Sequence, residues 1–421
     1  MTTSPVWHPF TQHALQPDAI EIARGEGAFL YRPDGSALLD CISSWWVVTH
    51  GHRHPRIIQA IKDQADTLDQ VIFAGFTHRP AEELAKRLLA RIGGDLAHVF
   101  YSDSGSTAVE VALKMALGFW RNQGAARTRI IALEHAYHGD TIGTMSTGAR
   151  GVFNASYEPL LFDVVRLPFP AQGKEEATLA ALADACRTGE AAALLVEPLL
   201  LGAGGMLTYA PEVLTAMQAI CRQSGTLLIA DEVMTGFGRT GTFTACEQAG
   251  VTPDILCLAK GITGGSLPLA VTLCTRAIFD AHYSTDRSKT FFHSSSYTAN
   301  PIACAAGVAN LDIWDEEPVA ERLATLAEWQ SACLARLRDD ARFTHLRQCG
   351  TVAALDLVTP DAGYLASIGP QLYAFFLARG LLLRPLGNTI YLMPPYCITR
   401  DELDGAYAAI GDAAAFLGAR A

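Results

Sequence analysis

No block of lysine or arginine interrupts this sequence of 421 residues. Charged residues are only 18% of it, and the net charge is −11. A surface of that sign repels phosphate backbones and anionic lipid, so neither nucleic acid nor a membrane is expected as a partner. No uncharged apolar stretch approaches the ~20 residues of a membrane helix. The opening MTTSPVWHPFTQH has no basic segment and no apolar one, so no secretion signal is expected. Ten cysteines are scattered without a CxxC pair. In a chain this large they read as reduced, mostly buried thiols in a cytoplasmic protein, with Cys257 as core filler. There is no internal repeat, low-complexity tract or long linker. Half of the residues are hydrophobic, which suits a large core or surface lost to a partner subunit.

The apolar residues are ordered. LYRPDGSALLDCISSWW (30–46) predicts a β-hairpin turning at Pro33-Asp34-Gly35. From about 55 to 300, helical patterns alternate with short apolar runs. AEELAKRLLARI (81–92) and STAVEVALKMALGFW (106–120) predict helices, the second with Thr107 and Glu110 as a capping box. AHVFYSD (97–103) predicts a strand. RIIALEH (129–135), AALLVEP (192–198), TLLIADE (226–232) and DILCLAK (254–260) are near-continuous apolar runs, as parallel strands buried on both faces should be. The fold class is α/β: a large domain over 51–308 with a mostly parallel open sheet, then a smaller α+β domain over 309–421. That second part holds a long helix (318–340) and strands at 351–358 and 389–394. The N-terminal segment, 1–50, is expected to join it.

Three of the apolar runs end in Glu197, Asp231 and Lys260. In open α/β sheets, ligands bind beyond the carboxyl ends of the strands. One charge at a strand end is ordinary solvation, but three in series, two beside the glycine-rich loops GFGRTG and GITGG, suggest a crevice. SDSGSTAVE (102–110) adds a strand running through Gly105 and Ser106 into a helix start, where free N–H groups favour a phosphate. A phosphate cradle, a strand-end aspartate and a strand-end lysine together suit pyridoxal phosphate. The lysine bonds its aldehyde, the aspartate keeps its ring nitrogen protonated, and the ring becomes an electron sink. Tyr137, just after a strand, suits stacking on one ring face, and Val233 packing on the other.

These residues carry a resemblance. LLIADEVMTGFGRTG, LCLAKGITGG, YSDSGSTAVEVALKMA and AYHGDTIG resemble the class III aminotransferases, fold-type I pyridoxal-phosphate enzymes, over nearly the whole chain. WHPFTQ (7–12), SSWW (43–46), GHRHP (51–55), GAGGM (202–206), FFHSSSYTANPIACAA (291–306) and RPLGNTIYLMPPY (384–396) are similar to the branch acting in biotin biosynthesis. Its members use S-adenosylmethionine as amino donor and 8-amino-7-oxononanoate as acceptor. The resemblance implies that Lys260 bonds the cofactor and shuttles the proton, and that Asp231 holds the ring nitrogen. It implies that Gly105 and Ser106 hold the phosphate and that Tyr137 and His138 belong to the cofactor site. Ser295 and Ser296 would reach the phosphate from the neighbouring subunit of a homodimer. Trp45, Trp46, Tyr137, Phe10 and Ser294 would line the substrate site, and Arg384 would take the keto acid's carboxylate.

The chain departs from the pattern at three places. Ser294-Ser295-Ser296 stands for Gly-Pro-Thr, with a hydroxyl kept at Ser296. Phe10 stands for a tyrosine, which leaves lysine open as an alternative donor. Leu201 stands for a glutamine. An ω-amino acid or diamine transaminase, or an aminomutase, is the alternative within the fold. A regulator without catalysis is the alternative outside it, and the intact Lys260, Asp231 and Tyr137 speak against that.

Other features keep two readings. His50, His52 and His54 alternate as on one face of a strand, and hydrogen bonding is favoured over metal, so no metal site is assigned. Trp45 and Trp46, as neighbours in a strand, would face opposite sides. Asp140 either meets the donor or caps the next helix.

Overall fold

The computed structural model describes residues 4–16 and 18–418, with side chains as far as 416; the first three residues of the opening stretch read above lie outside them. Its centre is a seven-stranded sheet. In spatial order the strands are Leu96–Ser102, Ala270–Thr275, Ile255–Leu258, Leu227–Asp231, Ala191–Val196, Arg129–Leu133 and Val165–Leu167. The last five run parallel. Ala270–Thr275 is antiparallel to both of its neighbours.

The continuous apolar runs have a simple cause. Leu194, Val196, Leu228, Ala230, Leu256 and Leu258 enter one core. Their alternates Ala193, Leu195, Leu227, Ile229, Ile255 and Cys257 enter another on the opposite face. Successive side chains point to opposite faces, and both faces are covered, so these strands stay apolar until their carboxyl ends.

Register then fixes the site. Ala230 pairs with Val196 on one side and with Leu256 on the other. Glu197 and Asp231, each one residue further on, therefore emerge at the same edge, and Lys260 follows just past the end of its own strand.

Among the described residues three smaller sheets accompany it, the smallest pairing only Leu200–Leu201 with Leu207–Thr208. The hairpin strands Phe29–Tyr31 and Ala37–Asp40 pair with Arg24–Glu26 and, in parallel, with Leu381–Leu382. Phe343–Cys349, Val352–Leu357 and Thr389–Leu392 form an antiparallel sheet, covered by the Val319–Leu337 and Arg400–Gly418 helices. The hairpin turn is as expected: Arg32 N–H donates to the Ser36 carbonyl at 2.9 Å.

Three local expectations are corrected. The capping box of the Gly105–Asn122 helix pairs Ser104 with Thr107, not Thr107 with Glu110. Glu110 instead accepts from the Gly143 and Thr144 N–H groups and the Thr141 hydroxyl, at the start of the next helix. Residues 50–54 do not form a strand. His50 is buried on Asn310 (2.9 Å), His52 binds Asp40 (2.8 Å), and His54 pairs with Glu317 (3.2 Å). Nor are Trp45 and Trp46 in a strand. They occupy a kinked turn over Ser43–Trp46, with Ser43, Ser44 and Trp46 at positive φ.

Candidate active site

A cavity of about 650 Å³ opens beyond the strand ends, within the size range of small-molecule sites. Glu197, Asp231 and Lys260 form its floor.

Lys260 takes a left-handed backbone conformation (φ 43°) as the chain leaves its strand. For a residue with a Cβ this is a strained geometry, kept only where the surroundings over-determine it. Its Nζ makes no hydrogen bond or ion pair among the described residues, and lies 5.3 Å from the centre of the Trp46 ring. Desolvation holds its pKa below the ordinary lysine value, while Asp231 and Glu197 pull the other way. The side chain is thus a poorly hydrated amine facing the cavity.

Asp231 is buried and already oriented. One carboxylate oxygen accepts from His138 Nδ1 at 2.7 Å, the other from Val233 N–H at 3.1 Å. His138 is buried too, and its Nε2 has no partner. Glu197 pins two loops: it accepts from Tyr137 N–H and from Gly202 N–H, both at 2.9 Å. Burial pushes its carboxyl up to about 7. Tyr137 is held protonated by desolvation.

One wall is the start of the 18-residue Gly105–Asn122 helix, with Asp103, Ser104, Gly105 and Ser106 facing the cavity. Gly105 is there for space: a Cβ would stand 2.5 Å from Val233 Cγ1. Ser106 Oγ accepts from Asp140 N–H at 3.1 Å. Thr141, not Asp140, caps the helix that follows; Asp140 lines the cavity.

The mouth comes from distant parts of the chain. Asp40 holds the Trp45–Trp46 turn, accepting from Ser44 N–H (2.7 Å) and Ser44 Oγ (2.8 Å). Arg239, fully buried, clips the same turn by donating to the carbonyls of Trp46, Val48 and Pro394. Trp46 Nε1 donates to the Tyr391 hydroxyl at 2.9 Å. Both indoles therefore line one cavity, against the expectation that they part. Arg384 lies over Trp45 at 5.5 Å and donates to the Phe10 carbonyl at 2.9 Å. It has no carboxylate partner among the described ion pairs. Phe10 packs on Trp45 at 5.6 Å.

Of the expected site residues, Lys260, Asp231, Tyr137, His138, Gly105, Ser106, Val233, Trp45, Trp46, Phe10 and Arg384 all line this cavity. Ser294, Ser295 and Ser296 do not. Ser295 donates its hydroxyl to Asp103 and its N–H to Thr298 Oγ1 (3.0 Å). Sequence reasoning missed Phe153 and Tyr364, which lie in loops without periodicity. It quoted Tyr391 only within a motif.

The side chains fit a phosphorylated, aldehyde-bearing, ring-nitrogen cofactor. A helix start with free N–H groups and a glycine gap suits its anion. An unpaired amine suits its carbonyl, and a carboxylate already held by a histidine suits a protonated ring nitrogen.

Comparison with known proteins gives the same direction. The class-III aminotransferase family model matches residues 11–414. A Synechococcus elongatus protein named adenosylmethionine-8-amino-7-oxononanoate aminotransferase is 50% identical, with 97% of each chain covered. The solved Methanocaldococcus jannaschii protein of the same name superposes with a TM-score of 0.92 at 33% identity, covering 97% of this chain and 96% of that one. An amine transaminase from an uncultivated Pseudomonas species, solved in its PLP-bound form, superposes at 0.93 with 34% identity, covering 98% and 99%.

Proposed function

Since this chain belongs to the class III aminotransferases, we propose that it transfers the amino group of S-adenosylmethionine to 8-amino-7-oxononanoate, giving 7,8-diaminononanoate for biotin. The observation that carries this reading is the pairing of cations with adjacent indoles. Lys260 faces Trp46 at the floor and Arg384 faces Trp45 at the mouth. A substrate with a reacting carbon at one end, an apolar chain along the aromatic wall and an anionic tail matches that layout. The 50% identity to a relative named for this substrate supports it.

Pyridoxal phosphate is the proposed cofactor. Gly105 and Ser106 would hold its phosphate, Tyr137 and Val233 the ring faces, and Asp231, steadied by His138, the ring nitrogen. Bound there, it supplies the electron sink that stabilises negative charge on the substrate carbon and carries the amino group between donor and acceptor. The remaining work falls to the protein. Lys260 Nζ, poorly hydrated and with a lowered pKa, takes the proton from the substrate carbon and later returns it. Asp231, oriented by His138 and the Val233 N–H, would hold the ring nitrogen in place. Tyr137, Trp45 and Trp46 exclude water from the carbon being deprotonated. Arg384 draws in the tail carboxylate.

We further propose a cytoplasmic homodimer in which Ser295 and Ser296 serve the partner's phosphate site, supported by their standing outside the cavity of their own chain. Among the described residues no helix is long and apolar enough to cross a membrane. The domain division is likewise a proposal: 51–308, with 1–50 joined to 309–421. The pairing of Leu381–Leu382 with the hairpin supports it.

The test supplies 8-amino-7-oxononanoate with S-adenosylmethionine or with lysine, and follows cofactor absorbance and product. Product with S-adenosylmethionine is expected. Product with lysine alone would move the donor, a reading that Phe10, without a hydroxyl at the mouth, keeps in play. No product with either would sink the substrate.

A further inference from the structure

Arg384 has a companion that no motif announces. Tyr364 lies between the Val352–Leu357 strand and the Ile368–Leu377 helix, in a segment without regular structure. It lines the cavity mouth and sets its ring edge-on to Phe153, centroids 4.5 Å apart. Phe153 in turn packs on Phe10 at 5.9 Å. The segment is locked to the turn that carries Arg384. Gly363 N–H donates to Asn388 Oδ1 at 3.2 Å. Gly387, at φ 64°, packs so closely that a Cβ there would collide with the Gly363 carbonyl. Phenol and guanidinium are therefore presented as one unit in the lining of one cavity.

We propose that Tyr364 is a specificity-determining residue, whose phenol completes with Arg384 a two-point grip on the carboxylate of the long keto acid. This deepens the substrate reading above and rests on it. A guanidinium carries only donors, so a phenol oxygen beside it can only accept from it. The phenol O–H is left to donate elsewhere, and burial keeps it protonated by raising its pKa. A carboxylate at the mouth then receives one N–H from Arg384 and one O–H from Tyr364. A neutral tail of the same length offers no charge to either donor, so the pair selects acids over their uncharged analogues.

The test compares the wild-type holoenzyme with Y364F, which keeps the ring against Phe153 and removes only the hydroxyl; circular dichroism checks the fold. Calorimetry measures binding of nonanoate and of 1-nonanol, and kinetics give KM and kcat for 8-amino-7-oxononanoate. Y364F is expected to bind nonanoate about tenfold more weakly, as loss of a hydrogen bond to a charge implies. Its affinity for 1-nonanol should stay level, and KM should rise more than kcat falls. Equal weakening toward both probes, unchanged nonanoate affinity, or a wild type that does not prefer the acid would each overturn the grip. A wild type that binds nonanoate through Tyr364 yet fails to aminate 8-amino-7-oxononanoate would sink the acceptor and leave the grip standing.

Discussion

The floor and the mouth of the cavity are built in opposite ways. Glu197, Asp231 and Lys260 sit at the ends of three strands that are immediate neighbours in one sheet. Their spacing follows from sheet register alone. The mouth joins Phe10, the Trp45–Trp46 turn, Tyr364 and Arg384, which meet only because the hairpin pairs with Leu381–Leu382 and the turn is clipped to Pro394. Reaction chemistry is thus held by the stiffest, most local part of the molecule. Substrate choice is held by a part assembled over long distances, where one side chain can change without disturbing the sheet.

That contrast can be broken by experiment. Lys260→Ala strikes the floor and should cost both half-reactions about ten-thousandfold or more, with the fold intact by circular dichroism. Single-turnover measurements with each substrate check it, and a half-reaction that survives would show that the floor does not serve both. Arg384→Ala strikes the mouth. The keto-acid half should lose roughly 10–100-fold, mostly in KM, and the donor half less. Equal losses would erase the distinction between the two ends.

The smallest effect concerns stability. Burial raises the Glu197 carboxyl from 4.5 to about 7. Between those values the folded protein holds a proton that the unfolded chain has released. Stability of the cofactor-free protein should therefore fall as pH rises through that window, by at most about 3 kcal/mol. Urea midpoints should show the slope in the wild type and a shallower one in Glu197→Gln. The same slope in both would mean another group is responsible.

What could be read in advance follows the same line. Strands buried on both faces leave continuous apolar runs, so four central strands and the three charges at their ends were legible. The Ala270–Thr275 strand was not, because Thr272 interrupts its apolar pattern; that hydroxyl is satisfied by the Ala108 carbonyl at 2.8 Å. Val165–Leu167 is three residues long and carries Arg166, too little for a period to show. Arg384 and Phe10 were found by resemblance rather than by pattern, since nothing in the spacing of residues 374 apart says that they touch. Phe153 and Tyr364 had neither signal. The alternation of Trp45 and Trp46 misled because it presumed a strand where Asp40 and Arg239 hold a strained turn.

The clip between that turn and the far end of the chain also sets a timetable. Ser43 Oγ donates to the Met393 carbonyl at 2.7 Å, and Trp46 to Tyr391, contacts spanning 350 and 345 residues. During synthesis every strand of the central sheet has left the ribosome once residue 275 is free. Asp40 and Arg239 can already hold the turn, but its contacts to Tyr391 and Met393 must wait for more than a hundred further residues. A nascent chain thus has its reactive lysine in place long before it has a means of choosing what to react with.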